Sequence, residues 1–115
     1  NEKNLVPIST LPLPPVEEFG LRGGRFGSHN LHENRPGPSF KSEEILIGAF
    51  FNAGIRIYDI KNPYQPQEIA HFVPPKPANS RVNAIQMNDV YADENGIVYA
   101  VDRWSGGLYV LEMDI

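Results

Sequence analysis

A six-residue pattern occurs twice in this chain, about fifty residues apart: GIRIYD at 54–59 and GLYVLE at 107–112. Each copy opens on a glycine, alternates its side chains with a period of two, and closes on an acidic residue. Period two marks a strand whose two faces meet different surroundings. In the first copy Ile55 and Ile57 share a face with Asp59, and Arg56 and Tyr58 share the other with Ile60. A unit repeated within 115 residues restricts the fold sharply, because such a unit cannot bury its own faces and has to be stacked on a neighbour.

The rest of each copy keeps the same order. Residues 28–33 (SHNLHE), 44–51 (EILIGAFF), 54–60 (GIRIYDI) and 67–73 (QEIAHFV) are strand candidates separated by the turn-rich NRPGPSFKSE and KNPYQP. Residues 84–93 (AIQMNDVYAD), 97–103 (IVYAVDR) and 108–114 (LYVLEMD) restate the first three, with Asn95-Gly96 predicting a type I′ hairpin. With Gly107 laid on Gly54, Leu108 falls on Ile55, Glu112 on Asp59 and Ile97 on Ile45, and the leading strands align Asn88 with His29. The expected fold is therefore all-β: a four-stranded antiparallel unit used once whole, at 26–80, and once without its last strand, at 81–115. Stacked radially, four-stranded units make a β-propeller, typically of 4–8 blades.

Residues 1–25 have another character. Prolines at 7, 12, 14 and 15 fix backbone angles and remove N–H donors, which predicts an extended, polyproline-like connector rather than a helix. LPLPP contains a PxxP of the kind that SH3 domains read, but for so short a pattern a connector lying on a domain surface is the preferred reading.

Composition removes several classes of function. A net charge of −4 with scattered Lys and Arg argues against nucleic acid, which asks for a concentrated basic surface. The absence of cysteine excludes disulfides, Cys-type zinc sites and thiol nucleophiles. No apolar run reaches the roughly 18–20 residues of a membrane span. The start NEKNLVPIST, without Met, reads as a processed or incomplete chain, and export to the periplasm or exterior is compatible with it. No Gly-x-Ser-x-Gly, phosphate-binding loop or dinucleotide fingerprint occurs.

The residues now quoted resemble a known family, the LVIVD-repeat β-propellers, whose strand motif reads IRIYD at 55–59 and LYVLE at 108–112. The glycine before each motif, the acidic residue closing it, and IKNPYQPQEIAHF after the first are similar to that family's strand, Asn-Pro loop and outer strand. FGSHNLHENRPG and IQMNDVYADENGIVYAVDR look like entries to its last two blades. The resemblance spans about residues 26–115 and implies the C-terminal portion of a larger β-propeller. On this reading the remaining blades, from the same full-length protein or from other chains, are the partners, and the fourth strand of the closing blade comes from elsewhere. A free-standing small β domain is the alternative, with exposed edges as its liability.

Candidate chemistry centres on the leading strand. His29 and His32 form H-x-x-H, but on a strand they point to opposite faces, so one metal held by both is not expected. His29 aligns with Asn88, and both would look into a propeller channel. With Asn30 and Arg35 they form the expected ligand-binding set, for a small molecule or a protein at the channel rim; Glu33 stands beside them, and Asn34 is expected to stabilise a turn. The main reading is a binding or structural module with no cofactor. The alternative follows from a distant similarity to selenium-binding-type propellers, which include copper-dependent methanethiol oxidases: a metal-dependent oxidoreductase, with copper or iron, in which His29 is a metal ligand within a histidine cluster completed by other blades. His71 is expected on the surface. Asp59, Glu112 and Asp114 end strands and suit loop capping, and YADENG lacks the spaced ligands of a calcium loop. Phe50, Phe51 and Trp104 are expected to pack between blades or at one rim.

Overall fold

The repeated pattern forms strands, and the described residues are all-β apart from one helical turn. The structure, a computed structural model, describes residues 3–115, so the first two residues of the expected connector lie outside it. β1 (Ile45–Ala49), β2 (Ile55–Asp59) and β3 (Gln67–Phe72) form one antiparallel sheet in the order β1-β2-β3. β4 (Met87–Ala92), β5 (Ile97–Asp102) and β6 (Leu108–Glu112) form a second in the order β4-β5-β6.

The two sheets pack face to face. Ile47, Ala49, Ile55 and Ile57 join Val90, Ala92, Val98 and Ala100 in one core. Three of these are alanines with no exposed surface, which lets the layers approach closely. Each isoleucine removed from water there contributes about 1.5–3 kcal/mol. β1 lies against β4, and the layers part toward β3 and β6, leaving an apolar groove of about 440 Å³ between Phe72, Val98, Leu111 and Met113.

The far face of the first sheet is covered by the chain's own N-terminal strap. Tyr58 and Phe50 are buried against Phe19, with Leu11 packed on the same cluster. The Tyr58 hydroxyl donates to Pro12 O at 3.1 Å, and Ser9 Oγ donates to Pro63 O at 2.6 Å. Within the strap stands one helical turn, α1 (Val16–Phe19), with Pro15 as its N-cap, where the prolines predict no helix. Proline is tolerated at a helix start because the N–H it lacks has no helical partner there anyway.

Residues 28–33, expected as a regular strand, depart from one. Their backbone runs antiparallel to β1 through a single bridge, Leu31 to Gly48. His29 N donates to Ala49 O and Ala49 N donates to Asn30 O, so two residues oppose one; His32 N then donates to Ile47 O. That is a β-bulge, and it breaks the ladder. The hairpin at Asn95-Gly96 also differs from expectation. A type I′ turn needs positive φ at both central residues, whereas here Gly96 alone has it, at 79°. The turn closes with Gly96 N on Asp93 O, and the Asp93 carboxylate takes the amides of Asn95 and Ile97.

Candidate functional site

Two bulges at matching places in the repeat build the site. In β4 the register passes from Met87 opposite Asp102 to Asp89 opposite Val101, so Asn88 has no partner in β5. In the first unit the bulge falls on His29 and Asn30. A bulge leaves backbone groups outside the ladder, and these need partners. The His29 Nδ1–H donates to Asn88 O at 2.8 Å, so the bulge of one unit satisfies that of the other.

This contact sets the histidine tautomer. With the proton on Nδ1, the Nε2 lone pair is left open to accept a hydrogen bond or bind a cation. The ring is steadied edge-on by Phe51, with centroids 4.8 Å apart. Phe51 is itself pinned: its N and O exchange hydrogen bonds of 3.0 Å with Met87, joining the two sheets, and it holds a positive φ of 49°. His29, Asn30 and Arg35 line one open groove of about 490 Å³, together with Glu33 and Asp89. The Arg35 guanidinium sits 5.8 Å from the Tyr91 ring centroid. The groove thus offers an imidazole nitrogen, one cation and two carboxylates, a set suited to a small polar ligand carrying charges of both signs.

Each expected site residue can be placed. His29, Asn30 and Arg35 come together; Asn88 joins them through its carbonyl, while its side chain meets Arg103 at 3.5 Å. His32 turns away. Its Nδ1 accepts the Ala92 N–H at 3.1 Å and its Nε2–H donates to Phe40 O at 2.8 Å, which spends both nitrogens on structure. His71 is exposed beside Glu68, with 3.3 Å between Nδ1 and the carboxylate. Asp59 caps the Lys61 amide. Phe50 and Phe51 are buried, whereas Trp104 is exposed under the Arg81 guanidinium.

Among the described residues, no three His, Asp or Glu side chains converge as a metal cage would require. His29 Nε2 is a single donor. No helix among those residues is long and apolar enough to cross a membrane.

Several polar groups that organise the structure lie outside the expected set. Buried Asp102 accepts the amides of Gln86, Trp104 and Gly106 at 2.6–2.9 Å and shapes the loop before β6. Gln86 Oε1 accepts the Arg25 amide at 2.7 Å, tying the strap to the second unit. Among the described residues, two buried atoms have no partner, Asn52 Oδ1 and Arg56 Nη2. Two tyrosines titrate high. Burial, then the Glu68 carboxylate, push Tyr58 up to about 12 against the opposing pull of Arg56. Tyr99 is also raised, by desolvation and then by Asp93. The one signal in the sequence for buried Arg56 is its place on the same strand face as Tyr58 and Ile60.

Comparison with family models, curated proteins and solved structures returns no match.

Proposed function

We propose that the chain forms two adjoining blades of a larger β-propeller of the LVIVD-repeat type and acts as a binding or structural module, with its ligand groove beside His29. One observation carries the reading. Gly54 and Gly107 open the two copies of the motif with φ of 78° and 80°. A Cβ on Gly54 would lie 2.1 Å from Phe72 O, because β3 runs past it, while a Cβ on Gly107 would meet nothing within 4 Å. The second unit therefore matches the first up to the place where β3 would stand. A strand from the remaining blades fits there, paired with the outer edge of β6, and a neighbouring blade fits over Leu108 and Val110, which are 61% and 60% exposed.

The test is the mass of the isolated protein, denatured and native, with hydrogen exchange at β6. A longer polypeptide or an assembly of several chains, with protected outward amides at Leu108, Val110 and Glu112, is the expected result. A 12.9 kDa monomer that unfolds cooperatively, with those amides exchanging freely, would refute the reading.

A second reading has one observation in its favour. The Nδ1–H of His29 is held by a backbone carbonyl while Nε2 stays open, an arrangement common around metal-bound histidines. A copper- or iron-dependent oxidoreductase would use that nitrogen together with ligands from other blades. Metal analysis of the same sample distinguishes the readings: stoichiometric copper or iron lost in His29→Ala supports the enzyme, and a metal-free assembly supports the binding module.

A further inference from the structure

The back of the first sheet carries a groove of about 590 Å³ between α1, the edge of β3 and the loop at 73–76. Arg56 lines it from β2 and is 2% exposed. Its Nε–H donates to Ala53 O at 2.9 Å and its Nη1 to Glu68 Oε1 at 2.9 Å. Nη2 has no partner. The Phe19 ring lies over the guanidinium with 5.0 Å to its centroid. That contact uses the face of the cation, whereas the N–H bonds lie in its plane, so stacking does not replace the missing acceptor. A buried guanidinium donor without an acceptor is costly, and Arg56 is one of the residues that line the groove.

The surroundings narrow the class of acceptor. Among the lining residues, Arg22, Arg56 and Lys76 face Glu18 and Glu68, one more cation than carboxylates. Arg22 pairs with Glu18 and also lies 4.2 Å from the Phe19 centroid. Glu68 is divided between Arg56 and His71. One surplus charge suits a monoanion better than a phosphate dianion. The remaining wall is apolar, formed by Phe19, Phe72, Val73 and the prolines at 74 and 75.

We propose that this groove binds a small organic monocarboxylate whose apolar body lies along the Phe72–Pro75 wall and whose carboxylate accepts from Arg56 Nη2, with Arg22 and Lys76 at the mouth. The groove is made by this chain alone, so the proposal stands apart from the propeller reading.

Sodium benzoate is the probe, titrated into the labelled full chain and followed by amide chemical shifts, with sodium phosphate and sodium chloride at matched ionic strength as references. A saturable response at Phe19, Arg56 and Val73 is expected for benzoate. Lys76→Ala should weaken it several-fold, and Arg56→Lys by about tenfold or more, since a lysine cannot present the second in-plane donor. Glu68→Gln removes the competing carboxylate and should tighten binding several-fold, a gain that a damaged fold cannot imitate. The proposal is overturned if benzoate gives no saturable response, if phosphate binds as tightly as benzoate, or if both Lys76→Ala and Glu68→Gln bind benzoate as the unaltered chain does.

Discussion

Replacing each motif glycine by alanine separates the two halves of the repeat. Both glycines have φ near 80°, where a side chain costs about 1–2 kcal/mol, offset by about 0.4–1 kcal/mol because alanine narrows the unfolded ensemble. Gly107→Ala should stop there, at a loss of roughly 1 kcal/mol, since its Cβ meets nothing within 4 Å. Gly54→Ala carries a second cost. Its Cβ would lie 2.1 Å from Phe72 O and 2.9 Å from Val73 Cα, both backbone atoms. Neither can rotate aside, so β3 must move away from β2 by more than an ångström and strain its pairing. Overpacking of this kind adds about 1–3 kcal/mol, for a total of about 2–4. Urea unfolding followed by circular dichroism reads the difference as a midpoint shift of about 1 M, given a slope of about 1–3 kcal/mol per molar. For the isolated 115-residue chain, equal losses, or a larger one at Gly107, would refute the reasoning. In an assembly where a strand lies beside β6 as β3 lies beside β2, the Gly107 penalty should rise to the Gly54 level.

Two further predictions concern buried polar groups. The Tyr58 phenol, raised from 10.0 to about 12 by burial and Glu68, keeps its proton in the folded chain while the unfolded chain loses it. Stability from this source is therefore complete below pH 10 and is lost between pH 10 and about 12, by up to about 2–3 kcal/mol, and Tyr58→Phe should flatten that part of a denaturation-versus-pH profile. Asp102→Ala leaves the amides of Gln86, Trp104 and Gly106 without their acceptor and should cost about 2–4 kcal/mol in urea unfolding; Asp102→Asn, which keeps an acceptor oxygen, should cost less.

Strand positions were legible because alternation and turn residues are local properties. IRIYD and LYVLE announce one-sided burial, and the glycine before each announces a left-handed backbone that other residues resist. The bulges were not legible. An inserted residue shifts the period-two phase by one, as between inward Met87 and inward Val90 and Ala92, but in strands this short the shift does not stand out from the turn-rich surroundings. Yet it decides that His29 Nδ1 reaches Asn88 O rather than running in a regular ladder. The pairing of His29 with Asn88 was visible only as a repeat alignment. The strap shows the same division: its prolines predict an extended path, but which sheet face it covers depends on Tyr58 and Phe50, some forty residues on. Arg56 was the least legible, because its burial is created by α1 and Phe19, which belong to a segment without periodicity.

The distribution of exposed apolar side chains bears on whether the two sheets stand alone. Scattered surface hydrophobes need no explanation, whereas concentrations mark contacts. Here two groups stand out within a wider scatter that also takes in Leu21, Tyr64, Ile69, Trp104 and Ile115. Leu5, Val6, Ile8, Leu13 and Val16 stand outward from the strap, and Val101, Leu108 and Val110 from the open face of the second sheet. Between those groups the sheets seal each other through Ile47, Ile55, Val90 and Val98. A self-sufficient domain of this size gains most by turning its few large apolar residues inward, since its surface is large relative to its volume. In the proposed propeller, neighbouring sheets would cover the apolar surface on the strap side and on the β6 side alike. The strap sets the terms on its side: a preceding sheet would meet Leu13 and Val16 rather than Tyr58, which is already closed off.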